Sequence, residues 1–377
     1  MIPTLSPLRR SLSRLRPRRA ALSALLCGLL VACTGTEESV ADVRVALLTG
    51  GGSNLGYVTS SLTTPVASAY VPVSDLGTDN RGVDLATLNT GRNLALTRVQ
   101  GLEQRGSDLL SPVPFAALPA SLAAPCLTQT AQSPTRDRLL TLSDCSGTQQ
   151  LALYRSDRTL VWTALLPTPP LPIQTPDTPP VRVAVLGDAA VVARPALAGG
   201  SEVIRVVPYT TGDPARDVLG NVSDPLPSPN IRDLATFGST IYAATDTGVR
   251  PLLANGLPDA STTEKSVVAY GNGRVDRLWS GVAGSKSLMA AWRDTALSGN
   301  STEPLRLWDG AATTAATALS VGSLRDLSFD LNGQMYLLTP NSLTRYDALV
   351  SLQQGYWSGT ILNASLNNAT SLTWLIP

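Results

Sequence analysis

The chain has 377 residues, room for two average domains or one large all-β domain, and it contains no histidine. That absence excludes Ser-His-Asp and Cys-His catalysis, histidine-ligated zinc, copper or haem, and any histidine-based pH switch. Charged residues make up only 15%, Gly (30) and Pro (28) are abundant, and Lys occurs only at Lys265 and Lys286, which favours short strands joined by turns over helical bundles.

Six of the 29 basic residues (Arg9, Arg10, Arg14, Arg16, Arg18 and Arg19) fall in the first nineteen positions. Without them, 23 basic residues face 28 acidic ones, a charge near −5, so nucleic acid is not an expected partner of the body. Ala20 to Ala32 form a 13-residue apolar run, shorter than the roughly 20 residues a spanning helix needs. A basic stretch followed by a short apolar run is the pattern of a secretory signal peptide. The run closes on Leu30-Val31-Ala32-Cys33, which resembles the lipobox of bacterial lipoproteins. In that family the chain is cut before the cysteine, whose thiol carries a diacylglycerol. The resemblance therefore implies residues 1–32 as signal peptide, Cys33 as lipidated first residue, and export to the cell envelope, at the outer membrane or the outer face of the plasma membrane. The alternative is a chance cysteine ending an ordinary signal peptide. Arg9-Arg10-Ser11-Leu12-Ser13-Arg14 also loosely resembles a twin-arginine export signal. Residues 33–41 are small and polar, a flexible tether to a body spanning 42–377.

Through that body runs a degenerate strand–turn–strand unit. Opening strands are read near Val43, Val83, Arg138, Val181, Ile231, Val275 and Leu324. The clearest copy spans Arg325 to Tyr346, where Leu327 and Phe329 alternate with polar residues and Asn332-Gly333 supplies a tight turn. Spacings of about 40 to 55 residues suit propeller blades of four strands. The expected fold is all-β: a β-propeller of about seven four-stranded blades, with six or eight also open, and two stacked β-sandwiches as the alternative. Thr370 to Ile376 is expected to pair with Val43–Thr49 and latch the ring. Leu166 to Pro180 carries seven prolines and cannot sit inside a sheet, so it reads as a connector between the third and fourth blades.

Cys126 and Cys145 are the cysteines of the body beyond Cys33. In an exported chain they are expected to form a disulfide across adjacent strands of the third blade, with two unpaired thiols as the alternative. An Asp recurs at or just before the opening strand in five units: Asp84, Asp137, Asp233, Asp276 and Asp326. Innermost strands line a propeller channel, so these carboxylates would form a ring that suits Ca²⁺ or a cationic ligand. The structural alternative is that each accepts hydrogen bonds from a neighbouring segment or pairs with Arg, fixing blade to blade. Asp75, Asp79, Asn80 and Asp84 form an acidic loop whose spacing matches no EF-hand. Trp308-Asp309 resembles the dipeptide of WD repeats but occurs once. Ser328 to Tyr336 resembles the Asp-box turn of sialidase propellers in a single copy, better read as a hairpin.

The body resembles exported β-propeller lipoproteins in architecture and repeat. Tyr346-Asp347-Ala348 with Gly355-Tyr356-Trp357 matches fragments of the blade motif of an outer-membrane assembly lipoprotein family. The implied function is a non-catalytic binding or scaffold module for an envelope protein or polysaccharide, held to the membrane by Cys33 and needing no cofactor. The alternative is a His-free, metal-assisted hydrolase or lactonase with Asp residues in the channel, since carboxylates suffice for acid–base work.

Overall fold

The computed structural model describes residues 42–377 except 64–66, 90, 120–121, 123, 171–174, 176, 211–217 and 254–266. The signal peptide, Cys33 and the tether lie outside the described residues.

The strands are apolar on both faces. Gln334–Leu338 and Ser371–Leu375 are buried throughout, and Ile231–Phe237 nearly so. A sheet that buries both faces must be covered on both, and radial stacking of sheets does this without leaving a wet side. Among the described residues the strands form seven antiparallel sheets. Blade 1 combines 43–75 with 371–375; blades 2 to 7 span 82–114, 127–165, 182–228, 231–251, 277–321 and 326–363. Five blades have four strands, blade 4 has five, and blade 5 has three among the described residues. The inner strands are Ser371–Leu375, Gly82–Leu88, Leu127–Gln132, Arg182–Leu186, Ile231–Phe237, Arg277–Ala283 and Asp326–Phe329 in blade order. Each contacts the next, and the last returns to the first. The chain is a seven-bladed β-propeller, the architecture its repeat implies.

Closure comes from the C-terminal strand. Ser371–Leu375 pairs antiparallel with Val43–Thr49, Leu48 opposite Ser371 and Arg44 opposite Leu375. Ile376 N–H donates to the Gly91 carbonyl at 2.8 Å, carrying the clasp on to blade 2. Two strands read as openings are second strands instead. Val43–Thr49 follows the clasp strand, and Arg138–Cys145 follows Leu127–Gln132. The latter inner strand (Leu-Thr-Gln-Thr-Ala-Gln) lacks an apolar signature because Gln129 and Gln132 donate to backbone carbonyls of the neighbouring segments, at Val181 and Thr87.

Among the described residues the core forms seven buried apolar clusters, one at each blade junction. Trp162 fills the junction of blades 3 and 4 with Val183 and Ile204. Trp292, Phe329 and Met335 fill that of blades 6 and 7, and Trp374, Tyr336 and Leu343 that of blades 7 and 1. The hairpin of blade 7 turns at Gly333, whose φ of +82° is open to glycine at no steric cost. Asp330 is fully buried there and accepts the Asn332 and Gln334 N–H groups, each at 2.9 Å, and the Tyr336 hydroxyl at 2.9 Å. The single Asp-box-like stretch is thus a self-capped turn tied into the sheet.

Cys126 and Cys145 form a disulfide, Cα atoms 5.4 Å apart, between the start of the blade 3 inner strand and the end of its neighbour. Replacing both by Ser should lower unfolding free energy by about 3 kcal/mol, the loop-closure value for a loop of this size, as read from denaturant titration with and without reductant. Trp374→Ala, which empties the interface at the clasp, should cost about 3 to 5 kcal/mol in the same titration.

Candidate functional site: the central channel

The inner strand of each blade has sheet partners on one side only, so its other edge of N–H and C=O groups faces the central channel. Those groups need acceptors and donors that no strand supplies. The sequence answers with a repeated dipeptide near the start of six inner strands: Asp84-Leu85, Arg182-Val183, Asp233-Leu234, Arg277-Leu278, Asp326-Leu327 and Ser371-Leu372. The second residue of each is buried between blades. The first lines a cavity of about 420 Å³ inside the ring, where Thr128 and Gln129 complete the layer from blade 3.

The carboxylates bridge strands. Asp233 accepts from the N–H of Leu234 at 3.0 Å and, across the junction, from Leu278 at 2.9 Å. Asp326 accepts from the N–H groups of Leu327 and Leu372, both at 2.8 Å, and from Trp279 Nε1 at 3.0 Å. Asp84 accepts from Leu85 N–H at 2.8 Å and from the Ser371 hydroxyl at 2.8 Å. Hydroxyls three residues further along do the same for carbonyls. Thr87 donates to the Trp374 carbonyl, Thr236 to Val185 and Ser280 to Thr236, at 2.6, 2.8 and 2.7 Å. With the two Gln residues of blade 3, every one of the seven junctions carries at least one such bond.

Asp84, Ser371 and Asp326 form a group with a proton to account for. Ser371 Oγ accepts from Leu85 N–H at 3.2 Å and lies 2.8 Å from Asp84 Oδ1 and 3.1 Å from Asp326 Oδ2. A hydroxyl has one hydrogen and can donate to one carboxylate only. Asp326 already accepts from three N–H donors, whereas Asp84 accepts from one, so the two carboxyls are unequally supported. Burial, and next the charge of Asp326, push the Asp84 carboxyl up to about 7, with Arg277 too weak an opposing influence. Burial also raises Asp326.

Three arginines share this layer. Arg182 Nε is 3.1 Å from Asp233 Oδ1 and Arg277 Nε is 3.5 Å from Asp233 Oδ2. The Arg277 guanidinium lies over the Trp279 ring, 4.9 Å from its centre, and its Nη2 donates to the Arg325 carbonyl at 3.4 Å. Arg325 also lines the cavity.

Of the five recurrent aspartates, Asp84, Asp233 and Asp326 line the channel, and the structure brings Asp84 and Asp326 together across Ser371. Asp137 and Asp276 lie elsewhere. Asp137 sits in the hairpin after the blade 3 inner strand, where it accepts from Thr135 and Ser133 and pairs with Arg138 at 2.9 Å. Asp276 is buried just before the blade 6 inner strand and accepts from Arg274 Nε at 2.8 Å and Asp294 N–H at 3.0 Å. In the acidic loop, Asp75 accepts from Gly77 N–H at 2.8 Å, an ordinary turn bond, and Asn80 Oδ1 accepts from Gln100 N–H at 2.8 Å, tying the loop to a turn of blade 2. Asp309, beside Trp308, accepts from the N–H groups of Ala311 and Ala312 and pairs with Lys286 at 2.9 Å. Among the described residues no three of His, Cys, Asp or Glu gather as a metal-ligand set. Sequence reading did not single out Arg182, Arg277 and Ser371. The signal was a polar residue directly before Leu or Val in six of the seven inner strands, whatever its charge.

Folding raises the Asp84 pKa from 3.8 to about 7, so the folded chain keeps a proton that the unfolded chain releases near pH 4. The stability this gives is complete below about pH 4 and is lost as pH rises through about 7. Asp330 is raised by burial and adds to the same trend. Melting temperature should therefore fall from about pH 5 to pH 8. Asp84→Asn should flatten that decline, and an unchanged slope in the variant would remove Asp84 as its source.

No protein-family model matches the chain, and no curated protein does. Solved structures resemble it at low identity. A provisionally assigned 6-phosphogluconolactonase from Bacteroides fragilis has a TM-score of 0.58 and 11% identity over 90% of this chain and 100% of its own. A second such assignment, from Bacteroides uniformis, has a TM-score of 0.53 and 13% identity over 89% and 100%. A protein of unknown function from Desulfotomaculum acetoxidans has a TM-score of 0.54 and 11% identity over 89% and 99%. What the chain shares with all three is the propeller fold.

Proposed function

We propose that the chain is a cell-envelope lipoprotein, anchored through Cys33, whose propeller is a non-catalytic binding or scaffold module for an envelope protein or polysaccharide. The mouth of the central channel is its contact point. One observation carries this reading: the channel carboxylates are spent on the N–H groups of adjacent inner strands, while the cavity they surround stays open at about 420 Å³. A calcium ion there would need six to eight oxygen ligands, and Asp233 and Asp326 already give theirs to backbone donors. The test is cross-linking of the full chain in its native envelope, read by mass spectrometry, alongside Cys33→Ser. The expected result is a reproducible neighbour for the native chain and release of the variant from the membrane fraction. Failure to recover any reproducible neighbour would remove the scaffold reading, and a variant still in the membrane fraction would remove the anchor.

A second reading, a His-free hydrolase or lactonase, draws on Asp84 and Asp326. Two carboxyl groups, both raised by burial, flank one hydroxyl at the cavity wall, a pair of the kind that acid–base chemistry uses. The assay is hydrolysis of 6-phosphogluconolactone with and without added Ca²⁺. The binding reading expects the rate of the Asp84→Asn variant to equal that of the native chain, both at the uncatalysed level.

A further inference from the structure

We infer that the channel mouth is an anion site, in which Arg182 of blade 4 and Arg277 of blade 6 together bind the carboxylate or phosphate of a small polar ligand. The inference rests on the reading of the channel as a binding site and specifies what enters it.

The argument starts from charge. Asp233 of blade 5 stands between the two guanidiniums and is the acidic partner of both, at 3.1 and 3.5 Å. Its oxygens are also occupied by the N–H groups of Leu234 and Leu278, so one heavily used carboxylate faces two full positive charges. Arg325, which is exposed, lines the same cavity. The other carboxylates of the cavity, Asp84 and Asp326, are engaged by Ser371 and by the N–H groups of Leu85, Leu327 and Leu372. Around Asp233, two guanidiniums share one carboxylate, a local positive excess that favours an incoming anion.

Hydrogen-bond geometry gives the same answer. Arg277 Nε is buried and makes no hydrogen bond among the described residues. Its guanidinium has one long bond, to the Arg325 carbonyl. Among the described residues, Arg182 adds a 3.2 Å bond to the Val181 carbonyl to its contact with Asp233. Each guanidinium offers five N–H donors in a planar fork, and most of these have no partner among the described residues. The face of Trp279 holds the Arg277 plane in place before any ligand arrives, which lowers the entropy lost on binding. Both side chains remain open to the cavity, 25% and 31% exposed. The cavity volume lies at the small end of the range for ligand sites, and Ser280, Ser328 and Thr373 add hydroxyls to its wall. A carboxylate or phosphate suits the forks, and a hydroxylated body suits the wall.

The experiment is calorimetric titration of the folded body with sodium gluconate, glucose 6-phosphate, inorganic phosphate and neutral glucose. At least one anion should bind saturably, about tenfold or more tighter than glucose, and should weaken as salt rises. Arg182→Gln and Arg277→Gln should each weaken that anion by about tenfold or more, while Asp233→Asn, which removes the competing carboxylate, should tighten it. Glucose binding as tightly as the anions would overturn the charge assignment and leave the channel a binding site. No saturable binding by any of the three anions would overturn the anion site, whereas the scaffold reading is decided separately by the envelope cross-links. Unchanged affinity in both Arg variants would overturn the location. Where a variant fails to fold, the native chain's anion preference and salt dependence decide the matter.

Discussion

Every feature of this molecule depends on one problem, the seven inner strand edges that point into the channel without a sheet partner. An unsatisfied buried N–H costs on the order of 1 to 3 kcal/mol, and a ring multiplies the liability by its blades. The chain solves it with side chains borrowed from the next blade. Asp233 and Asp326 each hold N–H groups of two strands, and Thr87, Thr236 and Ser280 donate to carbonyls across their junctions. These bonds set the rotation of each blade against its neighbour, a register that apolar packing alone leaves loose. The electrostatics of the channel are a by-product of the same solution, since carboxylates placed to accept N–H groups bring arginines with them.

This changes what a recurrent acidic residue means in such a fold. An Asp at the start of an inner strand invites a metal or acid–base interpretation, yet Asp233 and Asp326 each accept from backbone N–H groups of two strands. Asp84 is the exception. It holds one N–H donor where Asp326 holds three, and Ser371 sets it beside a charged neighbour. The chemically distinctive position is the one where the structural pattern is incomplete.

Much of the architecture was legible in the residues. Apolar runs with turn residues between them marked the strands, their spacing marked the blades, and the alternation in Thr370 to Ile376 marked the clasp. The inner strand of blade 3 was hidden because its glutamines serve neighbouring backbones, which makes Leu127–Gln132 look like a loop. The channel layer was half legible for a similar reason. The repeated element there is a place, polar side chain before a buried Leu or Val, and the chain fills it with Asp, Arg or Ser. Reading for one residue type finds Asp84, Asp233 and Asp326 and passes over Arg182, Arg277 and Ser371. It also gathers Asp137 and Asp276, which sit near strand starts in sequence and hold a hairpin and a loop in space.

The clasp has a consequence for how the ring comes into being. Arg44 finds its partner at Leu375 and Leu48 at Ser371, so one sheet joins positions more than 320 residues apart. Other blades contain mostly local pairings and can form as their own segments emerge, but blade 1 lacks its central strand until the last turn of the chain arrives. Contacts of such sequence separation carry the largest loop-closure cost and slow the search for the native state. Until that moment Val43–Thr49 presents an open, strongly apolar edge, a template for any extended strand nearby. A nascent copy of this protein is therefore most exposed to mispairing with another copy late in its assembly, when all but one strand of the ring is in place.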